Sequence, residues 1–426
     1  MTIRCRFAPS PTGSVHIGNM RAAIYNWLFA RHQGGAFLLR VEDTDRERST
    51  PEAVRTVLDA MEWLGLNVDE EPVYQSTKRE AHLAAAEKLL ASGHAYKLDK
   101  GGTGKGEATL FKMPGRDIAF RDEIKGELKK DAANLQDFVI VRSDGNPVFH
   151  LANVVDDIDM GITHIIRGDD HIENTFRHIA LFEALGATPP VYAHLPMIVN
   201  AQGKPYSKRD GAAFVGEFQE QGYLAEALFN YLVLLGWSPG DDREVMSRDE
   251  IVQLFTLDRV QGKPAQFDLK KFLWMNNEYI QRTPAEEWTQ RFRAAFPEAT
   301  DEAYLAQVIE LMKPRVKVWS DVASAVYFFR DDYPVDADAA QKRLGDAEAK
   351  ARLQAMMERF AALESFNAES LEAALRLLAD EFGIKPADLI HPVRIAVSGQ
   401  PGGPSLFHLL EVIGRDRVLA RMARAV

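Results

Sequence analysis

The chain has 426 residues, too many for one core of ordinary size, so two to four domains are expected. A net charge of −11 argues against bulk electrostatic binding of nucleic acid, since phosphate neutralisation needs Lys and Arg, but local basic patches such as 313–317 and 415–424 still act within a Debye length. The single cysteine, Cys5, excludes an internal disulfide and a cysteine zinc cluster, and no run approaches the ~20 apolar residues that span a bilayer.

The chain opens on a strand-like run, Ile3 to Phe7, rather than an apolar leader, so a cytoplasmic location without membrane association is expected. A Pro/Gly turn, Pro9-Ser10-Pro11-Thr12-Gly13, leads to a helix beginning between Val15 and Gly18, with Ser14 as its cap. A helix N-terminus suits an anion, glycines let a nucleotide approach the backbone, and His16 adds a donor at the same mouth. A strand over Phe37 to Val41 completes a βαβ pattern, which implies a parallel sheet. Helices follow over Pro51 to Leu64 and Lys78 to Ser92.

The glycine-rich stretch from Lys100 to Gly106 lacks the spacing of a phosphate-binding P-loop and reads as a plain turn. Strands are expected over Phe138 to Arg142 and Pro147 to His150, joined by a turn at 143–146. A further strand, Thr163 to Arg167, runs through Gly168-Asp169-Asp170 into a helix from about His171 to Leu185. That puts Arg167 at a strand's C-terminal end, where ligands bind in open α/β sheets. Lys204-Pro205-Tyr206-Ser207-Lys208-Arg209-Asp210-Gly211 sets three cations in one loop. From Gly222 onward helical patterns dominate, broken by a loop over 399–404 and closing on a helical segment over Leu406 to Ala425.

The segments around His16 and Lys208 resemble the HIGH and KMSKS signatures of class I aminoacyl-tRNA synthetases. The wording Phe7-Ala8-Pro9-Ser10-Pro11-Thr12-Gly13 and Arg40-Val41-Glu42-Asp43-Thr44-Asp45 resembles glutamyl-tRNA synthetase in particular. The likeness is strongest up to about Tyr279. It implies a Rossmann-like α/β catalytic domain (1–72 and 148–215) split by a connective insertion for the tRNA acceptor end (73–147). A helical stem-contact domain (216–283) and an all-α anticodon-binding region (284–426) would follow.

The reaction so implied is ATP-dependent attachment of L-glutamate to tRNA-Glu through a glutamyl-adenylate, by an enzyme expected to be a monomer. It also implies that glutamate activation needs bound tRNA, and it leaves tRNA-Gln open as a second acceptor. His16 and Lys208 match the catalytic pair. Pro9, Gly13, Gly18, Asn19, Ser207 and Arg209 join them around ATP. Arg6, Ala8, Ser10, Glu42, Phe149, Asn153 and Arg167 match the amino-acid pocket. Arginine suits planar recognition of carboxylates. A blander reading pairs Arg6 with Asp43 or Asp45 beside the sheet. Magnesium is expected with the nucleotide, and no zinc, since Tyr96-Lys97-Leu98-Asp99 stands where relatives carry cysteines.

Three departures stand out: Asn19 replaces a histidine, Pro205 replaces the first loop lysine with Lys204 one place earlier, and Phe149 replaces a tyrosine. Competing readings are a glutaminyl enzyme, a short tRNA-modifying paralogue and an inactive tRNA-binding module. The helical tail after Pro284 disfavours the first two. The intact His16, Lys208, Arg6 and Glu42 disfavour the third.

Overall fold

The computed structural model describes residues 2–11, 13–45, 49–99 and 106–426. Thr12 and most of the glycine-rich turn, 100–105, lie outside the described residues. The chain forms two compact units, Met1–Met275 and Asn276–Val426.

The first unit is built on β1 (Arg4–Phe7), α1 (Ile17–His32), β2 (Ala36–Val41), α2 (Pro51–Trp63), β3 (Val73–Tyr74) and α3 (Arg79–Ala91). Then come β4 (Ala95–Leu98), β5 (Ala108–Phe111), β6 (Ile118–Asp122), β7 (Gly126–Lys130) and β8 (Phe138–Val141). They are followed by α4 (Phe149–Asp159), β9 (His164–Gly168), α5 (Ile172–Leu185) and β10 (Val191–Leu195). The main sheet has the order β3-β2-β1-β9-β10-β6-β7. Its pairs are parallel except the last, where β6 and β7 form an antiparallel hairpin. The order reverses direction between β1 and β9, which makes that edge the topological switch point. A separate antiparallel sheet joins β4, β5 and β8.

Helix α1 is buried on most of its faces, as a central helix packed between layers must be. Asn26 in its middle donates to the Ile166 carbonyl of β9 (2.8 Å), tying helix to sheet. Its start differs from expectation. Ser14 is not the cap; His16 is, because its extended backbone lets the ring Nδ1 accept the Gly18 N–H (3.0 Å). Helix α2 begins as the sequence suggests, with Pro51 at its first position and the Thr50 hydroxyl accepting from the Ala53 N–H. Helix α5 ends at Gly186, whose φ of +79° is a left-handed cap conformation that favours glycine.

The strand expected over Pro147 to His150 is not one. Only Pro147 bridges to Val141, and Phe149 opens α4. The apolar residues Leu151, Val154, Val155 and Ile158 recur at helical spacing, and that longer period outweighs a short β-prone run. The hairpin of β6 and β7 escaped sequence reading. Its turn is drawn by Asp122 Oδ1, which accepts from the Ile124 and Lys125 N–H groups (3.0 and 2.8 Å).

The second unit is helical, and its segment 406–425 is two helices, broken at Gly414 with φ +88°. Most of the basic tail is engaged by the protein itself, although Arg424 is exposed. Arg421 is buried on Asp331 and the carbonyls of Val397 and Arg330, and Arg415 and Arg417 donate to the carbonyls of Leu363 and Phe328.

The turn into β2 is tight. A Cβ at Gly35 would meet the carbonyl and, at 2.7 Å, the Cβ of Ile3. Gly35→Ala is expected to destabilise the first unit by about 1–3 kcal/mol through this overpacking. Urea unfolding monitored by tryptophan fluorescence checks it, and an unchanged midpoint would contradict the packing described.

Candidate active site

A cleft of about 500 Å³ opens at the C-terminal ends of β1, β2, β9 and β10, within the first unit. The switch point puts it there. Where neighbouring connections leave a parallel sheet in opposite directions, the strand ends are uncovered. Arg6, Ala8, Pro9 and Ser10 reach it from the end of β1, Glu42 from beyond β2, and Arg167 from β9. Phe149 and Asn153 come from α4, and His16, Gly18 and Asn19 from the start of α1.

At that start the first two helix donors are already engaged. The Ile17 N–H meets the Ala213 carbonyl (3.0 Å) and the Gly18 N–H meets His16. A Cβ on Gly18 would stand 3.2 Å from His16 Nδ1, so glycine leaves the ring its capping place. The other ring nitrogen, Nε2, donates to the Tyr206 carbonyl at 3.1 Å. These two contacts assign the proton to Nε2, and burial holds the ring's pKa below its ordinary value. His16 is thus a neutral donor tied to the 204–211 loop.

Charge on the opposite wall is organised around Asp157, fully buried on α4. Its Oδ1 accepts from Arg40 Nη1 (2.5 Å) and Arg6 Nε (3.0 Å). Arg6 therefore takes Asp157 as its carboxylate; Asp43, the alternative from sequence, instead caps Ser76 (2.7 Å to N). Although burial opposes ionisation of Asp157, Arg40 and Arg6 together hold its carboxyl below the usual range. Arg40 also donates to Glu42 Oε1 (3.2 Å), which accepts from Asn153 Nδ2 at 2.7 Å. Burial outweighs the nearby arginines at Glu42 and pushes its pKa up.

Arg167 is treated differently. Among the described residues it has no carboxylate partner; its Nη2 donates to Thr175 Oγ1 (2.7 Å) and its Nε to His194 Nε2 (3.4 Å). Burial lowers its pKa to about 10, so it remains a cation at neutral pH. Beside it, Phe149 forms an apolar wall packed among His150, His171 and His178. Burial next to Arg177 and Arg167 drives His150 down to about 4, so this wall carries little charge of its own.

The remaining expected residues stand outside the cleft lining. Gly13 has a φ of +120°, a turn conformation that favours glycine. Ser207, Lys208 and Arg209 lie on the 204–211 loop, whose Pro205 and Tyr206 do line the cleft. Asp210 shapes the loop, accepting from Ser207 N (2.9 Å) and from Asn200 Nδ2 (2.8 Å). Lys208 is largely exposed, with its Nζ 3.7 Å from Glu217. Lys204 is also exposed, at the base of a turn that its carbonyl closes by accepting the Asn200 N–H.

Sequence reading missed Asp157, Arg40's part in the site, and Arg21, which lines the cleft and donates to the carbonyls of Leu235 and Pro196. The signals were there: one arginine inside the apolar strand Ala36–Val41, and two adjacent aspartates on the apolar helix Phe149–Asp159.

The unfolded-state pKa of an aspartate is about 3.9. Because the folded value of Asp157 lies lower, its stabilisation is complete above about pH 5 and is lost as pH falls through the folded pKa. Asp157→Asn is expected to cost about 3–5 kcal/mol at neutral pH by stranding two buried arginines, and to flatten the acid limb of stability. Urea titrations from pH 3 to 8 check both; equal slopes for the two proteins would refute the assignment.

Comparison with known proteins agrees with this geometry. The model of the catalytic domain of class I (E and Q) tRNA synthetases matches residues 2–104 and 98–274, and an anticodon-binding-domain model matches 280–426. A glutamate–tRNA ligase of Koribacter versatilis is 40% identical, covering 99% of this chain and 98% of its own, and one from Methylacidiphilum infernorum is 40% identical over 100% and 98%. The crystal structure of a glutamate–tRNA ligase from Elizabethkingia meningosepticum, in complex with its amino acid, superimposes with a TM-score of 0.83 at 30% identity, covering 100% of this chain and 99% of the other. A parallel sheet open at its switch point, the two signature segments, and full-length relatives of one kind place the chain in the glutamate–tRNA ligase family of class I tRNA synthetases.

Proposed function

We propose that this chain joins L-glutamate to tRNA-Glu in two steps. A glutamate α-carboxylate oxygen attacks the α-phosphorus of ATP, the bond to the bridging oxygen breaks, and pyrophosphate leaves. A ribose hydroxyl at the tRNA 3′ end then attacks the activated carbonyl and releases AMP. Neither step asks the protein for a covalent bond, so positioning and charge dominate.

The observation that carries the reading is Arg167, a buried cation without a carboxylate partner among the described residues, in the same cleft as Glu42. It suits a carboxylate, at about 1.5–3 kcal/mol for a charge-assisted bond. Glu42 and Ser10 suit the substrate ammonium. Asn153 and Phe149 shape the pocket beside them, and Ala8 and Arg6 support it from β1. His16, with its Nε2 proton, serves phosphate or ribose oxygens. Pro9, Gly13, Gly18 and Asn19 frame the nucleotide. Ser207, Lys208 and Arg209 act from the loop, with Lys208 countering triphosphate charge.

Among the described residues no group of three or more His, Cys, Asp or Glu side chains is arranged to hold a metal. In this reading a magnesium ion is carried on the ATP phosphates, where it would supply charge neutralisation. Cys5 being the only cysteine, the reading includes no cysteine zinc site. Among the described residues no helix is long and apolar enough to cross a membrane. In this reading 73–147 receives the acceptor end, 216–283 the stem and 284–426 the anticodon, around a catalytic domain of 1–72 and 148–215.

Charging of purified transcripts with radiolabelled glutamate tests the proposal. Glutamate is expected on tRNA-Glu; label on tRNA-Gln would add a second acceptor, and no label on either would overturn the reading. Pyrophosphate exchange is expected only with tRNA present. Lys208→Ala is expected to slow adenylate formation by roughly 10²–10³-fold, with the glutamate KM within about twofold, as for loss of one transition-state contact. Near-normal rates would remove Lys208 from the chemistry.

A further inference from the structure

Arg6 and Arg167 face the same cleft, yet only Arg6 has a carboxylate directly against it. A carboxylate does lie near Arg167, but one imidazole away. Asp122, at the end of β6, sets its Oδ2 2.6 Å from His194 Nδ1. His194, on β10, is the register partner of Arg167 on β9, and its Nε2 faces Arg167 Nε at 3.4 Å and Thr175 Oγ1 at 3.0 Å. Asp122, His194 and Thr175 are all buried.

We infer that Asp122 and His194 are positioning residues that keep Arg167 both oriented and uncompensated for the carboxylate of the amino-acid substrate. This rests on the glutamylation reading above.

The chemistry is one of tautomers. An ionised Asp122 can only accept, so it fixes the imidazole proton on Nδ1 and leaves Nε2 with a lone pair. That lone pair receives the Arg167 Nε–H and the Thr175 hydroxyl. The Thr175 oxygen in turn accepts from Arg167 Nη2, which also reaches the His171 carbonyl at 3.4 Å, so the guanidinium is held by neutral groups alone. A carboxylate in direct contact would orient the arginine as well, but would neutralise the charge the substrate needs, as Asp157 does for Arg6. Placing the negative charge behind a neutral ring separates orientation from neutralisation.

Asp122 has a second task on its other oxygen. Oδ1 accepts from the N–H groups of Ile124, Lys125 and His194 (3.0, 2.8 and 3.2 Å). Asp122→Asn can keep all three through its amide oxygen. It changes one contact: an NH₂ group now faces His194 Nδ1, donates to it, and drives the ring proton to Nε2. That N–H then opposes the Arg167 Nε–H, donor against donor.

The test uses the full chain labelled with ¹⁵N-histidine, and His194→Gln to assign the resonance. The wild type is expected to carry the His194 proton on Nδ1, and Asp122→Asn to move it to Nε2. In steady-state charging, Asp122→Asn is expected to raise the glutamate KM about tenfold while the ATP KM and thermal midpoint stay near wild type, as for loss of one oriented charge-assisted contact. His194→Gln, whose amide oxygen can stand where Nε2 stood, is expected to lose less than His194→Ala. A wild-type Nε2–H tautomer, or an Asp122→Asn glutamate KM within twofold of wild type, would overturn the inference; a KM for ATP that rises in parallel would reduce the pair to a structural support. Wild-type protein that charges no glutamate would sink the functional reading instead, and the tautomer measurement would still decide whether Asp122 governs His194.

Discussion

The cleft depends on one buried carboxylate. Asp157 sits on α4 with Arg40 of β2 and Arg6 of β1 against a single oxygen, so a helix and two neighbouring strands converge on one charge. Each arginine alone would be costly to bury, and their shared partner is what makes both tolerable. The arrangement also sets where Glu42 stands, since Arg40 and Asn153 both donate to it. A helix that slid along the sheet would undo every one of these bonds together. The distance between the two walls of the cleft is therefore set by charge as much as by apolar packing.

The site distributes its arginines unequally. Arg40 and Arg6 are compensated inside the protein, Arg21 is bonded to carbonyls, and Arg167 is supported by a hydroxyl and an imidazole. Arg21 and Arg167 thus meet only neutral groups and keep their positive charge in a low-dielectric surrounding, where an anion is attracted most, and of the two Arg167 lies on the wall with Glu42 and Asn153. In the proposed reading this favours an acidic amino acid over its amide, since a neutral side chain would leave such a cation imperfectly paired.

Much of this was legible from residues alone, and the limits have physical causes. The βαβ start, the helices after Pro51 and Lys78, and the strand-turn-helix around Arg167 follow from periodicity and turn chemistry, and β1, β2, α2, α3, β9 and α5 lie within a residue or so of expectation. The two signature segments carry the family likeness in residues alone. What failed was non-local. Pro147 to His150 looked like a strand because four residues cannot reveal that a helical stripe begins at the third. Ser14 looked like a cap because serine usually is one, whereas His16 caps through a ring whose reach depends on Gly18. Asp157, Asp122 and His194 went unnoticed because their meaning lies in partners 27 to 151 positions away in the chain. The tail arginines stood as a candidate basic patch or a solvated face, because sequence shows charge but not the carbonyls that take up Arg415, Arg417 and Arg421.

The bond from His16 Nε2 to the Tyr206 carbonyl has an implication for how the cleft fills. The ring has one proton to offer on that side, and the loop already takes it. A phosphate oxygen claiming the same proton must displace Tyr206, which sits two residues before Lys208. Occupancy of the histidine and freedom of the loop are then two descriptions of one equilibrium, and each shifts the other by the same free energy. In the proposed reading, where His16 serves the nucleotide, weakening the Tyr206 contact alone would sharpen nucleotide affinity through that equilibrium.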